Sequence, residues 1–191
     1  MEYLVIFISS IFVNNIVLSQ FLGVGSFLIA SKKTSTALLV GLVITLVMMA
    51  STTVNYVVYK NFLLPNGLEF LNIMAFILVI ATLVQVFELM LKKGIPSLYA
   101  VLGVFLPSIM TNCVVLGMII LAFNKNYDFS RSIAFAIANG LGFTLAVVLF
   151  ASLRERIDEK KVPDALKGAP IALIVASILS MAFMGFAGFA G

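Results

Sequence analysis

The sequence predicts an all-helical integral membrane protein, a prediction that rests on its composition, the length of its apolar runs and the position of its charges. Of its 191 residues, 62% are hydrophobic and 10% are charged, and the mean hydropathy is +1.19. A soluble domain has about 25% charged residues. The composition therefore excludes an ordinary soluble domain, a disordered chain and a disulfide-linked secreted scaffold. It predicts one membrane domain over residues 1–191.

Six apolar runs are separated by charged breaks. Each is long enough to cross a hydrocarbon core about 30 Å thick, which takes roughly 20 helical residues. The runs lack the alternating pattern of barrel strands, and this favours helices. The predicted spans one to six cover about 4–29, 37–59, 70–91, 98–123, 132–153 and 170–190.

The distribution of basic residues predicts the orientation of the chain. Loops one, three and five carry nine of the 12 Lys and Arg residues, whereas loops two and four carry three. Cytoplasmic loops of membrane proteins are enriched in Lys and Arg. Loops one, three and five are therefore predicted to be cytoplasmic and both termini external. Because the basic residues lie in short loops between apolar runs, they do not indicate binding of nucleic acid.

The inventory of reactive side chains is small. The chain has no His and one Cys. Imidazole catalysis is therefore excluded, and so is a zinc or iron–sulfur site built from this chain alone. We expect the isolated chain to have no catalytic activity and any redox site to need a partner.

The two halves of the chain resemble each other weakly, which predicts repeats of three spans over about 1–93 and 94–191. An odd number of spans inverts the second copy, so the repeats are related by a pseudo-two-fold axis in the membrane plane. Folds of this kind place their functional site near the bilayer centre, at interrupted helices. The matched pairs are Asn15 with Asn112 at an offset of 97, and Gly41 with Gly140 and Thr45 with Thr144 at 99.

Polar residues mark the same places in both halves. Asn14 and Asn15 interrupt span one, and Pro107, Thr111 and Asn112 interrupt span four. Proline removes a backbone donor, and asparagine can satisfy backbone groups that lipid cannot. We therefore predict that spans one and four are two interrupted helices that meet near the bilayer centre. The alternative is a pair of kinked helices whose asparagines form interhelical hydrogen bonds.

Two further residues are candidates for function. Glu88 is a carboxylate within span three, where it could relay a proton or cation. Alternatively, it pairs with Lys92 one turn later. Cys113 lies at the predicted break in span four. A lone buried Cys commonly behaves as a small hydrophobic residue, but a partner subunit could bring matching ligands to this position.

Several segments together resemble the A-type membrane subunits of the Rnf ion-translocating electron transport complexes. They are also similar, more distantly, to the E-type membrane subunit of the sodium-pumping NADH:quinone oxidoreductase. The Asn-Cys segment of span four and the LRER…VP…KG pattern of loop five are specific in combination. The segments are VNNIVLSQFLG at 13–23, SKK at 31–33, AFILVIATLVQVFEL at 75–89, LGVFLPSIMTNCVVLG at 102–117, LRER at 153–156 and VPDALKGAPIAL at 162–173.

The resemblance implies a fold and a function. It implies six helices with an inverted repeat in a bacterial cytoplasmic (inner) membrane, paired with a homologous six-helix subunit of opposite topology. The pair would hold a [2Fe–2S] cluster, with two Cys from each subunit, between partners that carry flavin and iron–sulfur centres. The whole complex would couple ferredoxin–NAD electron transfer to sodium or proton movement. The alternative is a subunit of the same complex that forms an ion pathway or a scaffold without its own metal ligand.

The sequence departs from the family pattern at one ligand position. The resemblance implies a segment FLG-x-Cys after the first half-helix, but the chain reads Phe21-Leu22-Gly23-Val24-Gly25. Of the two implied ligands, only Cys113 therefore carries over. Ser26 could substitute, the partner could supply three ligands, or the metal centre could differ or be missing.

Overall fold

A computed structural model describes residues 2–25, 28, 33–94, 99, 103, 112–157, 162, 163 and 166–187. Within these ranges the regular structure is helical and contains no strand. The first helix continues into a π-helical turn, Ser9–Val13, and the second into another, Tyr59–Leu63; a 3-10 turn, Glu69–Leu71, leads into the third. The α-helices are α1 (Glu2–Ile8), α2 (Thr34–Val58), α3 (Asn72–Gly94), α4 (Cys113–Asn124), α5 (Phe129–Arg156) and α6 (Ala169–Ala187).

Four of the described helical segments are long and apolar enough to cross a membrane, and they correspond to predicted spans two, three, five and six. These four segments are Thr34–Leu63, Glu69–Gly94, Phe129–Arg156 and Ala169–Phe186. Spans two, three and five extend a few residues beyond the predicted apolar runs. Hydropathy marks only the hydrocarbon core, whereas a helix continues into the interface because its backbone hydrogen bonds are made within the segment.

Spans one and four are different, because each contributes only a short apolar helix to the described structure. The two segments are Glu2–Val13 and Cys113–Asn124. At 1.5 Å per residue, 12 helical residues cover about 18 Å, well short of a 30 Å core. The prediction of interrupted helices therefore agrees with the described parts of both spans.

Helices α2 and α5 form the central pair of the bundle. Gly41 on α2 faces Thr144 on α5, and Gly140 on α5 faces Thr45 on α2. The two threonine hydroxyl oxygens are 3.4 Å apart. The positions matched at the predicted offset of 99 thus make reciprocal contacts, in which each glycine contacts the threonine of the other helix, as a local two-fold relation requires. Glycine at both crossings lets the two backbones approach closely.

The remaining helices pack around this pair to different depths. Helix α3 lies at the periphery, and its buried residues, Phe76, Ile80 and Val84, form one stripe at a spacing of four. Large apolar residues cover its other faces and are exposed, as expected for a surface that contacts lipid or a partner.

Polar contacts hold both ends of α5. At its start, Arg131 forms an ion pair with Glu2 of α1. At its end, the Glu155 carboxylate accepts hydrogen bonds from the Thr34 backbone N–H at 2.8 Å and the Thr34 hydroxyl at 2.9 Å. This carboxylate caps the first turn of α2, where backbone donors lack partners within the helix.

Candidate functional site

The break in span one is organised by Asn15. The π-helical turn ends at Val13, and Asn14 leaves the helical conformation with φ −108° and ψ 46°. The Asn15 side-chain oxygen then accepts hydrogen bonds from the backbone N–H groups of Val17, at 3.1 Å, and Leu18, at 3.3 Å. A single buried amide thus replaces the helical hydrogen bonds lost at the break.

The same amide joins the break to the central pair of helices. Its nitrogen donates to the Ile11 carbonyl at 3.0 Å and to the Gly142 carbonyl of α5 at 2.9 Å. A Cβ atom added to Gly142 would lie 3.1 Å from the Ser10 carbonyl oxygen and 3.2 Å from the Asn15 amide nitrogen. Glycine therefore allows the close approach of the interrupted segment to α5.

Asn112 repeats this arrangement at the start of α4. It is the N-cap of the helix, and its side-chain oxygen accepts a hydrogen bond from the Val114 N–H at 3.1 Å. Asn15 and Asn112, matched in the sequence at an offset of 97, thus perform the same local task. Asn14 differs from both, because it is exposed and its amide donates to the Ser9 hydroxyl at 3.0 Å.

The segments that follow the two asparagines meet at Cys113. This residue is the first of α4, its side chain is exposed, and its sulfur accepts a hydrogen bond from the Gly23 N–H at 3.0 Å. Gly23 adopts a φ of +75°, a conformation that glycine reaches without strain. Next to it, Leu22 contacts the face of α4 at Gly117, where an added Cβ would lie 2.6 Å from its Cδ1. The fold therefore brings the two predicted breaks together at a sulfur atom.

The implied [2Fe–2S] cluster does not fit the residues of this chain in its two-plus-two form. Four ligands are needed, and the only thiol of the chain is Cys113. Among the described residues, no group of three or more His, Cys, Asp or Glu side chains could hold a metal ion. Gly25, at the other implied ligand position, is exposed and has no side chain to bind iron.

The other predicted site residues lie elsewhere or outside the described ranges. Glu88, near the end of α3, is half-buried and accepts a 3.4 Å hydrogen bond from the Tyr99 hydroxyl. The described contacts do not pair it with Lys92, and they do not bring it to the junction at Cys113. Ser26, Pro107 and Thr111 lie outside the residues that the structure describes.

Three residues of the site were not predicted from the sequence. Gly142 was visible only as one of the glycines of span five, which gives no indication of its partner. Gly23 was visible only as a glycine after the first break. Ser180 of α6 gave no signal, yet its hydroxyl donates a hydrogen bond to the Leu18 carbonyl freed by the break.

The sequence that forms this junction is similar to a known family of membrane proteins. Residues 3–190 match a family model described as "Rnf-Nqr subunit, membrane protein". The chain belongs to the Rnf-Nqr membrane-subunit family. Over 183 residues it is 48% identical to a relative from Acetobacterium woodii, the A-type subunit of a Na(+)-translocating ferredoxin:NAD(+) oxidoreductase complex, with 96% of this chain and 95% of the relative covered.

Two further Rnf-Nqr relatives are named as A-type subunits of ion-translocating oxidoreductase complexes. The protein from Syntrophotalea carbinolica is 49% identical over 180 residues, which cover 94% of this chain and 93% of the relative. The protein from Vibrio cholerae serotype O1 (strain El Tor Inaba N16961) is 47% identical over 182 residues, with 95% and 94% covered. The predicted resemblance is therefore confirmed over nearly the whole chain. The chain is a multi-span membrane subunit of an ion-translocating oxidoreductase complex.

Proposed function

We propose that this chain is the A-type membrane subunit of a ferredoxin:NAD-type ion pump, and that it takes part in electron transfer at the junction around Cys113. The observation that carries the proposal is the position of the thiol. Its sulfur lies where the segments after both helix breaks meet, and it is exposed rather than packed inside the bundle. A cysteine that served only as a small apolar residue would be buried.

The residues around the sulfur hold it in place. Asn112 caps α4, whose first residue is Cys113, and the Gly23 N–H donates a hydrogen bond to the sulfur. Hydrogen bonds to sulfur tune the potential of iron–sulfur centres and orient their ligands. Asn15 anchors the opposite side of the junction to α5. The chain thus supplies a fixed exposed sulfur to a surface on which a homologous membrane subunit of opposite topology would dock.

The proposal includes an orientation and a location. The nine-to-three distribution of basic residues supports cytoplasmic loops one, three and five and external termini. The location in a bacterial cytoplasmic membrane is proposed from the family of the chain. The flavin- and iron–sulfur-carrying subunits of the complex would then bind on its two faces. Cysteines introduced one at a time at Asn66 and Lys167 of the Cys113→Ala chain, which then has no other thiol, test this orientation by their reaction with an impermeant maleimide. In intact cells, labelling at position 66 and none at 167 is expected, and the reverse pattern would refute it.

The experiment on function uses membranes that contain the complete complex. Cys113→Ala should abolish ferredoxin-driven NAD reduction and ion uptake while the complex still assembles. Cys113→Ser preserves the size of the side chain, so its activity shows how much depends on sulfur itself. The matched control is Ser177→Ala, because Ser177 is exposed on α6 and its hydroxyl donates to the Leu173 carbonyl of its own helix. Full activity in Cys113→Ala would refute a role for the thiol in electron transfer.

The same membranes separate the two alternatives. An ion-pathway subunit without a metal ligand would keep NAD reduction in Cys113→Ala, and Glu88→Gln would lower its ion uptake while NAD reduction continues. If the chain is only a scaffold, Cys113→Ala would lower both activities in proportion to the loss of assembled complex. Assembly is measured as the amount of each subunit that co-purifies.

A further inference from the structure

A cleft lies at the end of the bundle where α2 and α4 end and α5 begins. Its volume is about 210 Å³, smaller than the roughly 300–1,000 Å³ of most small-molecule pockets. The residues that line it are Tyr56, Tyr59, Lys60, Leu64, Phe123, Asn126 and Tyr127. None of them belongs to the junction at Cys113, so a role for this cleft is independent of the proposed function.

Two lysine ammonium groups lie over aromatic rings beside this cleft. The Lys60 nitrogen is 5.8 Å from the centre of the Tyr56 ring. The Lys125 nitrogen is 5.6 Å from the centre of the Tyr127 ring and 5.1 Å from that of the Phe135 ring. A cation is attracted to the face of an aromatic ring, and this attraction restrains both flexible side chains. Two positive charges are therefore held close to the aromatic wall of the cleft.

Neither lysine is neutralised by an ion pair within the described part of the chain. An ion pair there joins Arg131 to Glu2, so the arginine at this end of the bundle is already compensated. Asp128 and Glu69 are also at this end, and neither lines the cleft. Asp128 precedes the first turn of α5, where the helix dipole favours a negative charge. The cleft therefore offers positive charge to an anion.

The turn after α4 fixes one wall of the cleft. Asn126 has a φ of +50°, and its N–H donates to the Phe123 carbonyl at 2.9 Å. Asparagine is among the few residues with a side chain that adopt a positive φ readily. The chain then folds back, and the Tyr127 N–H donates to the Ala122 carbonyl at 3.3 Å. Backbone hydrogen bonds thus hold the Tyr127 ring in place at the end of α4.

The surface around the cleft favours a lipid over a soluble anion. Phe62 and Leu64, at the end of the same helical segment, are 68% and 47% exposed. Large exposed apolar side chains at the end of a span can contact acyl chains. Tyrosine is enriched at the interface where lipid head groups lie, and lysine side chains near helix ends extend toward it. Ammonium and tyrosine hydroxyl groups are donors that phosphate oxygens can accept.

We propose that this cleft binds the phosphate head group of an anionic glycerophospholipid. Lys60 and Lys125 supply the cationic contacts, and the tyrosine rings form the wall beside the head group. The two lysines would repel the ammonium group of a zwitterionic lipid, so the site selects for net negative charge. The bound lipid would join the ends of α2 and α4 at the membrane interface.

The test places a photoreactive amino acid at Leu64, in the complete complex reconstituted into vesicles of equal parts phosphatidylglycerol and phosphatidylcholine. Mass spectrometry of the cross-linked chain gives the ratio of the two lipids captured. The control has the same photoreactive residue at Leu78, which is 68% exposed on α3 and does not line the cleft. We expect an excess of phosphatidylglycerol at position 64 and a ratio near that of the vesicle at position 78.

Substitution of the lysines tests which groups produce the excess. Lys60→Gln combined with Lys125→Gln should reduce it by about five-fold for each lysine, because each contributes separately to the attraction of anionic lipid. Lys60→Arg combined with Lys125→Arg keeps both charges and should preserve it. Added inorganic phosphate should leave the ratio unchanged, because free phosphate lacks acyl chains.

Three results would overturn the proposal. The first is an equal lipid ratio at positions 64 and 78 in the native complex, which decides the matter even if the glutamine variant does not assemble. The second is an excess of phosphatidylglycerol that persists without the lysines. The third is an excess that inorganic phosphate abolishes, because the occupant would then be a soluble anion.

Discussion

Replacing Gly140 with Ala should separate the two central helices. The added Cβ would lie 2.6 Å from Cγ2 of Thr45, 2.7 Å from its Oγ1 and 2.8 Å from its Cβ. Carbon atoms in favourable contact are about 3.5–4.0 Å apart, so α2 and α5 must move apart by about 1 Å at this crossing. Rotation of the Thr45 side chain cannot relieve the overlap, since its own Cβ is among the atoms contacted.

The expected loss of folding free energy can be taken from substitutions that overpack tightly packed sites in other proteins. Such substitutions destabilise by about 1–3 kcal/mol. For a chain of this size, about 1 kcal/mol lowers the melting temperature by roughly 2–4 °C, so a decrease of about 2–12 °C is expected. The assay is the apparent melting temperature of this subunit in the purified complex, followed by its retention in the complex on size exclusion after heating.

The control for this substitution is Gly185→Ala. Gly185 also lies within a helix, but a Cβ added there meets nothing within 4 Å. Alanine favours a helix over glycine by up to about 1 kcal/mol, so this variant should be unchanged or slightly more stable. Equal melting temperatures for Gly140→Ala and Gly185→Ala would refute the reasoning, because the crossing would then have room that the structure does not show.

Other substitutions test the rest of the structure. Asn15→Leu should lower stability by more than about 2 kcal/mol, because several buried backbone groups lose their partner; unchanged thermal stability of the complex would contradict this. Asn55→Leu should be neutral or stabilising by about 1–3 kcal/mol in the same assay, because both polar atoms of this buried amide lack a hydrogen-bond partner in the described structure; a large loss would show a missing partner. Glu88→Gln should leave the ratio of ions moved to NAD reduced unchanged, because Glu88 contacts Tyr99 rather than the junction; a lowered ratio would restore Glu88 to the ion path.

Much of the fold could be predicted from the sequence, because the bilayer imposes strong constraints on length and hydropathy. The four long helices fall where the apolar runs are. The short helices were indicated by polar residues within spans one and four, but this signal is not specific, because Asn55 and Asn139 lie within the continuous helices α2 and α5. Gly41 and Thr45 were visible only as positions that match Gly140 and Thr144 at one offset, and the structure shows that each glycine contacts the threonine of the other helix.

The site could be predicted only in part. Asn15, Asn112 and Cys113 stand out because two are amides at matched positions within apolar runs and the third is the single thiol of the chain. Their partners do not stand out: the Gly23 N–H and the Gly142 carbonyl are backbone groups, which every residue has. Which backbone group meets which side chain depends on helix packing between segments about a hundred residues apart. The hydropathy pattern of one sequence does not show which of these distant segments lie close together in space.

The central claim, that Cys113 is this chain's contribution to a redox centre, is tested most directly by iron analysis. The native complex and Cys113→Ala would be purified anaerobically in parallel, and their iron content, acid-labile sulfide and EPR spectra compared as a difference. The account predicts that Cys113→Ala loses about two iron atoms per complex, together with one [2Fe–2S] signal. Equal iron content and identical spectra in two fully assembled complexes would contradict it.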